Sequence, residues 1–400
     1  MLRAAVGVSR HTDASEAGRA AAEAASRSLG DHAATFALVF ATGAYPQAEV
    51  LAAIAGVLPG ARLSGCSGEG VIGGSATHEV EFAVAVLAVS SDSVRFEPFL
   101  VEGYHADPAG AGRTIATLCG PVDGAAPVCV VILPDGIRGN ASALIDGLAA
   151  ELPRSVPIVG GSAGDAMLFE KTHQYLDERV VSDAVAGFVL RGAATLHVGV
   201  SHGCTTVGLD RVVTRAQDGW VFTIDGLPAW EVFKEYLDGD PEDLTAEGII
   251  YLCIGVDIRR MLSSDTPRYV IRTPMVLDKE NGALFFPGGG IETGTRVRVT
   301  RRDGELIRGS GTECAAALRQ AAPGQTPAFV LQFDCAGRGR ILFGELAASE
   351  LIEPLQTILG ADIPWIGVHT YGEIAPVDGV PFFHNYSVAL CAVYETPPTR

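Results

Sequence analysis

The sequence predicts an α/β protein: mixed sheets flanked by helices, built in two parts from divergent internal repeats of helix, strand, helix, strand, loop and strand. Two observations carry this. Apolar runs of strand length alternate with helix-length stretches along the 400 residues. Three Gly-rich bends, "SGCSGEG" (64–70), "VGGSAGD" (159–165) and "GVHTYGEI" (367–374), each follow such a run and set a hydroxyl and a carboxylate beside glycine. With 48% hydrophobic and 19% charged residues, the chain can bury a large core.

The elements follow in order. "AAVGVS" (4–9) suits a strand, and Asp13 caps an Ala-rich helix that Gly30 stops. "FALVF" (36–40), a helix over 47–58 and a strand entering Gly65 precede the first bend, with strands over 80–89 and 94–101 after it. A second copy runs through a helix (108–119), "VCVVIL" (128–133), a helix (141–152), "PIV" (157–159), the second bend and "AVAGFVL" (184–190). A third runs through a helix in 312–321, "AFVLQF" (328–333), a helix over 346–359, "IPWIG" (363–367), the third bend and "YSVALCAV" (386–393). A period of about 100 residues is too long for a solenoid and implies whole sheet-and-helix units. Residues 201–295 differ: Asp225-Gly226 marks a turn, and Asn281-Gly282 a hairpin. The expected division is into parts 1–215 and 216–400.

With 47 acidic against 29 basic residues, the net charge of −18 repels phosphate backbones and anionic lipid, which argues against nucleic acid or a membrane surface as partner. Eight scattered cysteines show neither C-x-x-C nor zinc-finger spacing and are expected to be reduced thiols in the cytoplasm. The longest apolar segment, 82–89, is far short of the roughly 20 residues that span a bilayer.

The bends are candidate ligand contacts. Glycines let backbone N–H groups approach a ligand closely, Ser67, Ser162 and Thr370 add hydroxyls, and Glu69, Asp165 and Glu373 suit an ammonium group. A zwitterionic amino acid needs this pairing, although plain turns with solvated carboxylates use the same residues. Arg338, after a strand, fits either a ligand carboxylate or a structural ion pair. Cys66, Gly161, Cys335, Tyr371, Gly372, His384 and Asn385 complete the candidate ligand-binding set. "GGSAG" (160–164) matches G-x-S-x-G, the serine-hydrolase elbow, but that reading requires a helix directly after Ser162, and the following residues are not patterned as one.

The chain resembles the FIST family, a two-part sensory module. The N-terminal resemblance lies in "GCSGEG", "VGGSAGD" and the run from "SHGCTTVG" (201–208) to "IDGLPAWEVFKEYL"; the C-terminal one in "FDCAGRGRILFG" (333–344), "GVHTYGEIAP" (367–376) and "HNYSVAL" (384–390). It implies a small-molecule-sensing protein of signal transduction, with amino acids the usual ligand class and no cofactor. Output is expected in trans, to a partner such as a histidine kinase or a cyclic-di-nucleotide enzyme. The alternative it implies is a haem-binding nitric oxide sensor, with His384, His369, His202 or His197 as the iron ligand.

Overall fold

The computed structural model describes residues 1–122, 126–237, 252–262 and 268–396. Its frame is a threefold repetition of one unit. In each copy two parallel strands, one antiparallel return strand and a flanking edge strand form a sheet with helices on its outer face. The parallel pairs are Phe36–Thr42 with Arg62–Gly68, Pro127–Pro134 with Ile158–Gly161, and Phe329–Cys335 with Trp365–Thr370.

Each sheet is completed by a hairpin from another copy. The hairpin Gly70–Gly73/Ala76–His78 of copy one pairs with Trp365–Thr370 of copy three. That of copy two, Gln174–Leu176/Arg179–Val181, pairs with Arg62–Gly68 of copy one. That of copy three, Glu373–Val377/Val380–His384, pairs with Ile158–Gly161 of copy two. The exchange closes a pseudo-threefold ring and covers one edge of every parallel pair, which otherwise presents unpaired backbone groups.

The inner faces meet in one core. Phe36, Cys129 and Phe329 take equivalent places at one end of the central strands, and Phe40, Leu133 and Phe333 at the other; all are buried. Phe36 stacks on Phe96 of copy two at 4.6 Å between ring centroids. Full burial of each such side chain is worth about 1.5–3 kcal/mol. Outside, helices Ala14–Leu29 and Gln47–Val57 cover copy one, and Pro108–Leu118 and Ala141–Ala149 cover copy two. Their approach is close because small residues meet: a Cβ at Gly18 would overlap the Val50 carbonyl, and one at Gly112 the Leu144 carbonyl.

In copies one and two a short connection joins the edge strand to the first helix. In copy three an insertion separates the edge strand Ala194–Ser201 from helix Gly304–Ala321. Among the described residues it forms an eight-stranded antiparallel sheet with its own core of Val213, Val221, Trp230, Phe233, Leu284 and Phe286. Both expected turns are present. Asp225 and Gly226 have φ of 51° and 81° between Trp220–Ile224 and Leu227–Pro228, and Gly282 has φ 62° before Ala283–Phe285. Residue 215 falls inside the strand Cys204–Gln217.

Two expected helices differ in extent. The one anticipated over 312–321 begins at Gly304, where Asp303 caps the Glu305 and Leu306 N–H groups. The one anticipated over 346–359 is a 3-10 turn (Gly344–Leu346), a π turn (Ala348–Ile352) and a helix (Glu353–Leu359). Pro354 lacks an N–H and its ring clashes with the preceding turn, which accounts for the widened turn before it.

Candidate functional site

The three glycine bends converge on the pseudo-threefold axis and bond directly to one another. The Gly164 N–H donates to the Ser67 carbonyl (3.1 Å), the Ser162 N–H to the Gly372 carbonyl (2.8 Å), and the Glu69 N–H to the His369 carbonyl (2.9 Å). Glycine is needed here for packing: a Cβ at Gly161 would overlap the Thr370 side chain, and one at Gly164 the Glu69 backbone nitrogen. The Ser67 hydroxyl is engaged, donating to the Gly164 carbonyl (2.8 Å) and accepting from the His173 N–H (2.9 Å).

Glu69, Asp165 and Tyr371, one from each bend, form a network. The Tyr371 hydroxyl donates to Asp165 Oδ1 at 2.7 Å and stands 3.2 Å from Glu69 Oε2, which accepts the Met167 N–H at 2.7 Å. Burial pushes the Glu69 carboxyl up to about 7, against the lowering effect of the Met167 and Tyr371 bonds. Asp165 also accepts the N–H groups of Phe169, Glu170 and Lys171. It thereby fixes a surface loop in which Ala166, Met167 and Phe169 hold φ of 61°, 57° and 53°. Left-handed backbone at such residues costs on the order of 1–3 kcal/mol each, so the anchoring bonds offset real strain. Phe169 stacks on Tyr371 at 4.9 Å.

Beside this junction, at the carboxyl ends of the parallel strands of copy two, lies a small crevice, with about 20 Å³ of cavity space below an open mouth. Open α/β sheets bind ligands at such strand ends. One wall is Asp135–Gly139 with Tyr104 and Ser162; the opposite wall is Phe285, Pro287 and Gly288 of the insertion, with Phe383 beside them. Gly136 links the crevice to the bends, since a Cβ there would overlap the Ala163 carbonyl and reach Tyr371. Gly288, Gly289 and Gly290, all with positive φ, bring the insertion onto the start of helix Ala141–Ala149, where the Ser142 N–H donates to the Gly288 carbonyl (2.9 Å).

The polar groups of the crevice are available. Ser162 and Tyr104 are 2% and 1% exposed, and among the described residues neither hydroxyl makes a hydrogen bond. Arg138 is exposed, and among the described residues its guanidinium makes no ion pair. Asp135 accepts the N–H groups of Ile137, Arg138 and Asp183, which leaves one carboxylate lone pair open. Behind Phe383, buried Arg272 lies 4.9 Å from the ring and donates to the Gly289 and Pro287 carbonyls; burial pushes its guanidinium down to about 9.

The repeat explains why Arg138 is free. Strand register aligns Val39, Ile132 and Gln332, opposite Gly65, Gly160 and Gly367. Six positions on in each copy stand Tyr45, Arg138 and Arg338 (39 to 45, 132 to 138, 332 to 338). Arg338 is 1% exposed and its Nε lies 3.0 Å from Asp334. The residue equivalent to Asp334 in copy two is Pro134, so Arg138 lacks the carboxylate that holds Arg338.

The other candidates are buried in the frame. Glu373 accepts from Thr370 Oγ1 and Ser387 Oγ, both at 2.7 Å, and burial raises its carboxyl to about 8. Gly372 packs on Phe383. Cys66 and Cys335 are buried, and burial pushes both thiols up. Asn385 ties the insertion to the third bend, accepting from the Thr273 N–H and donating to the Tyr371 carbonyl, both at 3.2 Å. Thus the structure joins Cys66, Ser67, Glu69, Gly161, Ser162, Asp165, Thr370, Tyr371, Gly372 and Glu373 in one junction, while Ser162 alone of the set lines the crevice. Arg138, Asp135 and Tyr104, which also line the crevice, were not among the sequence candidates. Alignment of "DGIRGN" with "CAGRGR" (335–340) was the signal for Arg138, and the glycine run 288–290 that for the opposite wall.

The comparisons with known proteins bear on the whole chain. The FIST N domain matches residues 35–227, and the FIST C domain matches 229–376. The chain belongs to the FIST family. FIST domains are small-ligand sensory domains of signal transduction. An uncharacterised protein of Mycobacterium tuberculosis (strain H37Rv) is 28% identical over 398 residues, covering 97% of this chain and 99% of its own. An uncharacterised protein of Methanocaldococcus jannaschii is 32% identical over 94 residues, 24% of this chain and 18% of that one. A solved structure, T. maritima PurL complexed with FGAR, aligns over 99% of this chain and 73% of its own at 11% identity, with a TM-score of 0.24.

Within this FIST protein, the haem and hydrolase readings meet the crevice as follows. Among the described residues no histidine lines it, so none of them offers an imidazole to a haem iron placed there. His384 Nε2 pairs with the Ala375 carbonyl (3.0 Å), and burial pushes the ring down to about 4; buried His369 contacts Thr77 Oγ1 (2.6 Å). His202 Nδ1 accepts the Cys204 N–H (2.9 Å), and His197 lies against Tyr394 on an edge strand. Ser162 is followed by an extended loop instead of the helix that a nucleophile elbow requires. Among the described residues no helix is long and apolar enough to cross a membrane.

Proposed function

We propose that the crevice between copy two and the insertion is the sensory site of this FIST protein, and that it recognises an amino acid or a similar small polar ligand. The observation that carries the reading is the meeting of partner-free Arg138 with the hydroxyls of Ser162 and Tyr104 in one aromatic-walled space. The planar Arg138 fork suits a ligand carboxylate, the open Asp135 lone pair suits an ammonium group, and Phe285 and Phe383 cover the apolar part. A ligand touching both walls favours the arrangement in which the insertion lies against copy two, so binding shifts a population between conformers. A partner in trans, a histidine kinase or a cyclic-di-nucleotide enzyme, then reads the insertion surface.

A thermal-shift screen of the proteinogenic amino acids tests this. At a ligand concentration about 100-fold above Kd, stabilisation is about 2.7 kcal/mol, a rise of a few degrees in Tm. Arg138→Ala removes a charge-assisted contact worth about 1.5–3 kcal/mol, so the apparent affinity falls by about one to two orders of magnitude. A panel without a hit, or a hit that Arg138→Ala leaves intact, overturns the reading.

A further inference from the structure

Three consecutive glycines carry the insertion wall of the crevice onto copy two: Gly288, Gly289 and Gly290, with φ of 80°, 67° and 79°. No side chain would fit at the contact, since a Cβ at Gly289 would overlap the Asn140 side chain and one at Gly290 the Ser142 hydroxyl. The carbonyl groups of this run are engaged. Arg272 donates to those of Pro287 and Gly289, and the Ser142 N–H to that of Gly288. The N–H groups are not: among the described residues, those of Gly288, Gly289 and Gly290 make no hydrogen bond, although Gly289 is buried. Buried N–H groups without a partner are rare in folded chains and mark a place for water or a ligand.

Arg272 sets the direction of these groups. In a trans peptide the C=O and N–H point opposite ways, so drawing the Pro287 and Gly289 carbonyls toward Arg272 turns the Gly288 and Gly290 N–H groups away from it. Arg272 lies behind Phe383, whereas Pro287 and Gly288 line the crevice, which puts the Gly288 N–H on the crevice side of the wall. Arg272 itself is 2% exposed, makes no ion pair among the described residues, and has an Nε without a hydrogen-bond partner. A buried cation is costly unless an anion accompanies it.

The charges at the crevice are also unequal. Among the described residues Arg138 and Asp135 are the charged groups of the lining, and Arg272 adds a second cation behind it, an excess of positive charge in a chain of net charge −18. A zwitterionic amino acid with its carboxylate on Arg138 and its ammonium on Asp135 leaves Arg272 and the glycine N–H groups uncompensated. The cavity space of about 20 Å³ admits a group about the size of one carboxylate.

We propose that the Gly288–Gly290 wall, backed by Arg272, is an anion subsite of the crevice, and that it takes the side-chain carboxylate of an acidic amino acid, aspartate or glutamate. The inference rests on the crevice being the sensory site. Arg272 is a positioning residue: it fixes the peptide units so that their positive ends meet the carboxylate, and its charge adds attraction through the wall.

The test is calorimetric titration of the full chain with matched pairs: aspartate and asparagine, glutamate and glutamine, O-phosphoserine and serine. Aspartate or glutamate is expected to bind at least tenfold tighter than its amide, the lower end for hydrogen bonds to a charged group. Arg272→Gln should bring that ratio to within about threefold of unity and leave the affinity for the amides nearly unchanged, while Arg272→Lys keeps a preference for the acid. A loss in Arg272→Gln shared equally by acid and amide, which a merely structural role would give, overturns the proposal. If Arg272→Gln does not fold, the wild-type pairs decide. Amides that bind as well as the acids, with binding removed by Arg138→Ala, overturn the anion subsite and leave the sensory reading standing. Tighter binding of O-phosphoserine than of either acid assigns the wall to phosphate and overturns the acidic amino acid. No binding by any member overturns the sensory reading and this inference together.

Discussion

Glu373 shows what the frame demands of one residue. Its carboxyl is fully buried, bonded only to Thr370 and Ser387 among the described residues, and raised to about 8. The folded protein therefore holds this proton more tightly than the unfolded chain. The stabilisation is complete below the unfolded pKa of about 4.5 and is lost as the pH rises through about 8, with a slope of up to about 1.4 kcal/mol per pH unit. His384 acts in the opposite sense at lower pH: its ring is depressed to about 4, so its contribution is present above about 6.5 and lost as the pH falls. The Glu373 effect is isolated by comparing the wild type with Glu373→Gln, whose amide keeps the shape and has nothing to ionise. From pH 5 to 8 the variant should lose less Tm than the wild type, the gap widening with pH. Parallel profiles in differential scanning calorimetry would mean that Glu373 does not titrate across this window.

At the scale of the element, the tight bends depend on glycine at specific places. Gly160 and Gly65 pair across from Ile132 and Val39, and a Cβ on either would overlap the facing carbonyl oxygen. Backbone cannot move aside as a flexible side chain does, so Gly160→Ala should destabilise by about 3 kcal/mol, the upper end for overpacking. Gly56, in helix Gln47–Val57, faces open space, and Gly56→Ala should stabilise by about 0.5–1 kcal/mol. Urea unfolding of the two variants should give shifts of opposite sign; a neutral Gly160→Ala would refute the close-approach account. The same elements show where sequence patterns stop. The long strands and the two asparagine- or aspartate-glycine turns were legible because apolar runs and left-handed turn residues leave local marks. The exchanged hairpins were not, since three-residue strands such as Gln174–Leu176 are too short to carry a period. The crevice was not legible either, because it needs Phe285–Gly288 placed against Asp135–Gly139, a contact with no local signature. Arg338 attracted attention in its motif, but its carboxylate partner Asp334 lies four residues away, a pairing visible only once the strand end turns.

At the scale of the molecule, the exchange of hairpins predicts how stability is distributed. No copy can open alone without removing a hairpin from another sheet and uncovering the shared core. The insertion has a separate core and is held by its two crossings, by Asn385 and by the contact of Gly288–Gly290 with copy two. Two cooperative units follow: the ring of three copies and the insertion. In native-state hydrogen exchange the strands Phe36–Thr42, Pro127–Pro134 and Phe329–Cys335 should share one slow rate, set by global unfolding, while Leu252–Asp257 and Arg296–Arg302 exchange faster. Asn385→Ala, which cuts the tie from Thr273 to Tyr371, should speed exchange in the insertion and leave the three central strands together. Separate rates for those strands would show that the copies open one at a time. Ligand bound between the walls should slow the insertion strands selectively, because it adds contacts that exist only while the insertion lies against copy two.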